Sequence, residues 1–189
     1  MNRKNQIYLL ELAGKTLKHF FITGKKLEIS ESELPDIELK EKRGTFVTLQ
    51  KYGELRGCIG HIEPVQEIYK DVIENTLSAA FDDPRFEPLT QHELKDIDIE
   101  ISVLTNPEKF EYNSIDDLLA KLRPHIDGVI IKKGKNGATY LPQVWEELSG
   151  KKQFLSSLCL KAGLEESEWK KGTLEVETYQ AEVFGEHDT

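Results

Sequence analysis

The sequence predicts an α+β fold, with helices packed on a mainly antiparallel sheet, and three observations carry that reading. Ile97, Ile99, Ile101 and Val103 alternate with Asp98, Glu100 and Ser102, the period-two signature of a strand with one buried and one polar face. Two hairpins, turning at Tyr52-Gly53 and at Gly134 to Gly137, join short β-rich runs. Their connections are too short for parallel crossovers, which disfavours a doubly wound parallel sheet. The segments around them space apolar residues every three to four positions, as amphipathic helices do.

In chain order, Ile7, Leu10, Ala13, Leu17 and Phe20 or Phe21 form the apolar stripe of a first helix over Ile7 to Phe21, which Gly24 ends. Lys25 to Arg43 is charged, contains Pro35, and reads as a long surface connection. Thr45 to Leu49 is the first arm of the first hairpin. Pro64 stands where a first helical residue belongs, and Val65, Ile68, Val72 and Leu77 to Ala80 give that helix its buried side. Its N-terminal amides are expected to lie near Cys58 and His61 as in an anion site. The helix stops at Phe81-Asp82-Asp83-Pro84, because a residue before proline leaves helical geometry. Thr90 and Glu93 have capping-box spacing, so Thr90 to Leu94 reads as a short helix before the Ile97 strand.

Ser114 and Asp117 cap a further helix that ends near Arg123-Pro124. The second hairpin, Val129 to Lys133 and Ala138 to Leu141, follows. Its GKNG turn is not a phosphate-binding loop: five residues separate Gly128 from Gly134, and Asn136 stands where that loop needs a hydroxyl. Pro142 opens a helical stretch containing Trp145, and Phe154, Leu155, Leu158, Cys159 and Ala162 line a helix ended by Gly163. Between Thr173 and Phe184 the alternation changes parity, which predicts a bulge or bend near Thr178, and 185–189 is expected to fray. At 189 residues the chain suits a single domain over 1–189.

Composition excludes several classes of protein. With 38% hydrophobic and 31% charged residues the chain is neither disordered nor a disulfide scaffold, and Cys58 and Cys159 read as free thiols of a reducing compartment. No apolar run is long enough to span a bilayer and no cleavage signature follows the start, so we expect a cytoplasmic protein with no membrane partner. A net charge of −9 disfavours nucleic acid, and Lys132, Lys133, Lys135, Lys151 and Lys152 read as solvated turn lysines; RNA or nucleotide binding is a third alternative that rests on these patches alone.

The chemistry gathers in GELRGCIGHIEP, Gly53 to Pro64. Read as the second arm of the hairpin, it points Arg56, Cys58 and Gly60 one way and Leu55, Gly57 and Ile59 the other, so Arg56 and Cys58 share a face, and a guanidinium beside a thiol favours the thiolate. Cys58 is then a candidate nucleophile, with Arg56 to stabilise the thiolate and His61 to move protons. Small Gly57 and Gly60 would let a ligand approach, and Arg85, His125 and Asp127 are further candidate ligand contacts. The competing reading makes Cys58 a small packed residue, Asp127 a turn residue bonding backbone amides, and Arg85 the partner of Asp82, Asp83 or Glu87. No metal site is expected, since Cys58 and His61 lack a second ligand pair, and no cofactor is expected. No nucleophile, base and orienting group can be assembled together, so a binding module is preferred to an enzyme.

Four segments together, LRGCIG (55–60), AAFDDPRFEPLT (79–90), IEISVL (99–104) and ATYLPQVWEE (138–147), resemble the AMMECR-one domain family over about Phe46 to Phe184. HIDGVII and FLSSLCLKAGL fit its pattern as well. The resemblance implies an α+β protein with a larger and a smaller lobe around a cleft lined by LRGCIG. It also implies an AmmeMemoRadiSam setting, with a Memo-like protein and a radical SAM protein as partners beside an unknown small ligand or peptide.

Overall fold

The computed structural model describes residues 1–188, the side chain of Asp188 excepted. The described residues form four α-helices: α1 (Arg3–Thr23), α2 (Ile68–Phe81), α3 (Ile115–Lys121) and α4 (Lys151–Lys161). The strands are β1 (Thr45–Lys51), β2 (Glu54–Gly60), β3 (Ile97–Leu104), β4 (Glu108–Lys109), β5 (Gly128–Lys133), β6 (Asn136–Tyr140), β7 (Glu175–Tyr179) and β8 (Ala181–Gly185). They make two four-stranded sheets, ordered β2-β1-β3-β8 and β4-β7-β5-β6, so the fold is α+β as the alternation and the hairpins predict. The chain divides into two compact units, Met1–Leu104 with the segment from Glu182, and Thr105–Ala181.

In the first unit, α1 and α2 cover one face of the first sheet. Val47 and Leu49 of β1 and Ile99, Ile101 and Val103 of β3 point to that face and are buried with Leu9, Ala13, Leu17, Ile68 and Val72. The Asn2 side chain accepts from the Asn5 amide and caps α1, which therefore starts earlier than its apolar stripe; Gly24, at φ 67°, ends it. The 25–43 connection carries two 3-10 turns and buries Leu27 and Leu39. Tyr52 and Gly53, at φ 55° and 80°, form the two-residue turn between β1 and β2.

Two expectations are corrected in this unit. α2 begins at Ile68 rather than Pro64, and the Ile68 amide, one of its first-turn donors, is bonded to the Glu41 carbonyl at 2.9 Å. Where a bulge or bend is expected near Thr178 within one last strand, the chain shows a break into two strands: it leaves the second sheet after Tyr179 and enters the first at Ala181. Gly185 ends β8, Glu186–Asp188 form a 3-10 turn, and the Glu186 carboxylate accepts from the Ile99 amide at 3.0 Å; of the tail expected to fray, Thr189 lies outside the described residues.

The second unit has its own core. Trp145 stacks on Phe154 with ring centroids 3.6 Å apart and planes 4° from parallel, among Leu118, Val129, Ile131, Leu158, Trp169 and Val176. The Trp145 indole nitrogen donates to the Asp127 carbonyl at 2.7 Å. Gly134, at φ 60°, lies in the turn between β5 and β6, and Gly163, at φ 72°, follows α4. No helix of the described residues is long and apolar enough to cross a membrane.

Candidate functional site at the Cys58 edge

β2 is the edge strand of its sheet, so alternate peptide groups face away from β1 and need partners. At Cys58 those partners come from the turn after α2. The Cys58 amide donates to Asp83 Oδ2 at 2.9 Å, and the Cys58 carbonyl accepts from Arg85 Nη2 at 3.3 Å. Arg85 in turn clasps Asp83 through Nε at 2.9 Å and Nη2 at 2.7 Å. Pro84 holds this segment out of helical geometry, which lets two charged side chains close the strand edge. Asp83 is buried, and its hydrogen bond with Arg85 holds its carboxyl well below the usual range, with the Cys58 and Arg85 amides adding to the effect.

Arg56 lies elsewhere than alternation would place it. β1 and β2 lose register there: Leu49 faces Gly57 while Gln50 faces Leu55, which leaves Arg56 as the extra residue of a β-bulge. The alternation that would set Arg56 beside Cys58 is interrupted at this residue. Its guanidinium turns to Glu93, with bonds of 3.1 and 3.2 Å, and Lys51 Nζ reaches the same carboxylate at 2.9 Å. The Thr90 amide and hydroxyl complete the shell of Glu93, whose carboxyl is held low first by Arg56. The guanidinium near Cys58 is that of Arg85, whose protonated form is favoured chiefly by Asp83 and also by the Cys58 sulfur.

The half-buried Cys58 sulfur accepts from the Thr48 hydroxyl at 3.2 Å. Thr48 stands opposite Cys58 on one side and Glu100 on the other, so these residues form a row across three strands on the sheet face away from the helices. His61 takes a different partner. Its Nδ1 lies 3.2 Å from Asp71 Oδ1 on α2, and among the described residues no hydrogen bond joins it to Cys58.

The two glycines are spaces for the protein's own chain rather than for a ligand. A Cβ at Gly57 would collide with the Ala79 carbonyl of α2, and one at Gly60 with the Thr45 carbonyl and the Phe46 ring. Asp127 is fully buried and accepts from the Arg123 amide at 2.8 Å and from Arg123 Nη2 at 2.6 Å, the backbone-bonding turn role of the competing reading. His125, in the same second unit, is exposed on a turn in the left-handed region at φ 64°. Among the described residues no group of three or more His, Cys, Asp or Glu is placed to hold a metal ion. Lys132 and Lys133 are paired with Glu177 and Glu168, which weighs against a polyphosphate footprint there.

The alternation and motif spacing miss Thr48, Asp71 and Asn75, whose places depend on strand register and helix facing. For Glu93 the capping box is a signal, but it shows only half of that residue's work.

Two four-stranded antiparallel sheets with packed helices, and LRGCIG on a clasped edge strand of the first, define an α+β protein. The AMMECR1 family profile matches residues 10–184, and the chain belongs to that family. It is 40% identical over 189 residues to Protein MK0488 of Methanopyrus kandleri, covering 96% of this chain and 88% of that protein. A protein of Methanothermobacter thermautotrophicus is 40% identical over 179 residues, covering 94% and 92%. The crystal structure of Uncharacterized Protein PH0010 from Pyrococcus horikoshii matches with a TM-score of 0.86 at 34% identity, covering 98% of this chain and 93% of that one.

Proposed function

We propose that the protein is a cytoplasmic binding or accessory module that docks a partner on the Leu55–Gly60 edge, and that its partners are a Memo-like protein and a radical SAM protein. One observation carries this reading: among the described residues the Cys58 sulfur is hydrogen-bonded to the Thr48 hydroxyl and to no base. Arg56 is held by Glu93, Arg85 by Asp83, and His61 is bonded to Asp71 rather than to the sulfur. A nucleophilic enzyme needs a base and an orienting group within reach of the sulfur. A docking edge needs only a rigid backbone and accessible side chains, which the Asp83–Arg85 clasp, exposed Tyr52 and exposed Leu55 supply.

Co-expression of the tagged chain with the Memo-like and radical SAM proteins of the same genome tests it. Cys58→Ser should retain co-purification, whereas Leu55→Asp and Tyr52→Asp should weaken it. Loss of co-purification in Cys58→Ser, or no co-purification by the wild-type chain, sinks the docking reading.

The second reading is thiol chemistry at Cys58, and the position of Arg85 favours it, since that guanidinium is bonded at the Cys58 carbonyl and interacts with the sulfur. Alkylation by iodoacetamide at about pH 6 discriminates, because only a thiol held as thiolate outpaces an ordinary cysteine there.

A further inference from the structure

The first unit holds a second polar cluster, on the helix side of the first sheet, that the Cys58 edge does not use. At its centre Asp71 is 1% exposed and is surrounded by donors. Oδ2 accepts from the Thr45 amide at 3.1 Å, the Thr45 hydroxyl at 2.7 Å and Asn75 Nδ2 at 3.0 Å; Oδ1 accepts from Gln66 Nε2 at 3.0 Å. The amide and both carboxamides have only hydrogens to offer at these contacts, so the carboxyl group is the acceptor at each of them. The remaining neighbour of Oδ1 is His61 Nδ1, which must therefore carry the hydrogen. That fixes the tautomer of the imidazole and leaves the Nε2 lone pair on a side chain 43% exposed.

The cluster is also rigid and incompletely satisfied. The His61 amide donates to the Thr45 carbonyl at 2.9 Å, and Gly44 has no room for a Cβ against the carbonyls of His61 and Ile62. Asn75 is fully buried, yet its Oδ1 has no donor, an unpaired polar atom inside the network that orients His61. A packing role would be met by an apolar residue at lower cost than a carboxylate requiring this many donors.

We propose that His61 and Asp71 form an imidazole–carboxylate pair whose Nε2 takes a proton from a hydroxyl group, of water or of a bound alcohol, independently of the Cys58 thiol. The O–H bond breaks, its electron pair stays on oxygen, and the proton goes to Nε2. The resulting imidazolium is stabilised by the Asp71 carboxylate on the far side of the ring. Asp71 is a positioning residue in this scheme, since it acts through His61. The inference does not rest on the docking reading, and neither result below bears on partner binding.

The test uses the full chain in a Cys58→Ser background, so that no thiol contributes. Nitrogen NMR of His61 at about pH 8 should show the hydrogen on Nδ1. With p-nitrophenyl acetate as probe, water gives its proton to Nε2, its oxygen adds to the acetyl carbon, and p-nitrophenolate leaves with the electron pair of the broken bond. His61→Gln should slow this hydrolysis by about tenfold or more, and deuterated water should slow the parent by about twofold. Asp71→Asn should shift the tautomer and lower the rate alike. A hydrogen found on Nε2 in the parent, or equal rates for the parent and His61→Gln, overturns the proposal; the NMR result stands even where Asp71→Asn fails to fold.

Discussion

Arg85 donates to the backbone carbonyl of Cys58 from a position twenty-seven residues along the chain, at 3.3 Å, while the same guanidinium grips Asp83. The clasp takes the place of a fifth strand at the open edge of the sheet. It fixes the backbone at Cys58 and leaves the sulfur to Thr48.

Removing the clasp should loosen the edge. Asp83→Ala strips partners from the Cys58 amide and from Arg85, and we expect it to cost about 1–3 kcal/mol in urea unfolding. Arg85→Ala should cost less, because that side chain is 53% exposed and its pairing is screened by solvent. Equal stability of Asp83→Ala and wild type would contradict the clasp.

Acid should abolish the advantage of the paired carboxylates. Asp83 and Glu93 both have folded-state pKa values depressed by their arginines, so their contribution is present above the ordinary carboxylate values of 3.8 and 4.5 and is lost as pH falls below them. The stability gap between wild type and Asp83→Asn with Glu93→Gln should therefore be full at about pH 6 and should narrow towards about pH 2. Urea titrations at the two pH values measure it, and a gap that widens in acid would give the wrong sign.

Gly57→Ala should be among the most damaging single substitutions in the first unit. The added methyl meets a helix carbonyl rather than a flexible side chain, so β2 and α2 must separate, at a cost of about 1–3 kcal/mol or more. Thermal unfolding reads this, and a Tm unchanged from wild type would show that the strand and helix are not in close contact.

Only one of the two thiols should react in the folded protein. Cys159 is fully buried on α4 and burial pushes its thiol up, whereas Cys58 is partly accessible. Titration with a disulfide reagent at about pH 8 should count one fast thiol in wild type and none in Cys58→Ser, with the second appearing on denaturation. A fast thiol remaining in Cys58→Ser would place Cys159 at the surface.

His125 should be replaceable without loss of stability. It is an exposed non-glycine residue at φ 64°, a conformation that costs about 1–2 kcal/mol for most side chains, so His125→Gly should hold or raise the urea midpoint despite the greater entropy of an unfolded glycine. A drop of about 2 kcal/mol would instead show that the imidazole makes a stabilising contact.

Much of the fold is legible because periodicity reports burial. The Ile97 to Val103 alternation, the Tyr52-Gly53 turn and the α1 stripe each follow from local physics, and each is present, except that Ile7 of the stripe is exposed. The site is less legible because its geometry is decided by register. A bulge at Arg56 changes nothing in composition, yet it breaks the alternation from which the Arg56–Cys58 pairing is read. Arg85 and Asp83 reach Cys58 only because the chain returns along an edge, a long-range event with no period to announce it. Asp71 sits beside Val72 on α2, and its burial depends on donors that arrive from β1 and from Gln66.

The first sheet is assembled from two stretches of chain that the ribosome delivers far apart. Its last strand, β8, emerges only after residues 105–181 have been made, and with it come the Glu182 carboxylate, which accepts from Gln6 at 2.8 Å, and Glu186, which accepts from the Ile99 amide. A nascent chain therefore exposes the unpaired flank of β3 throughout synthesis of the second unit. During that interval the growing polypeptide is most open to strand-to-strand misassociation with its neighbours on the same message.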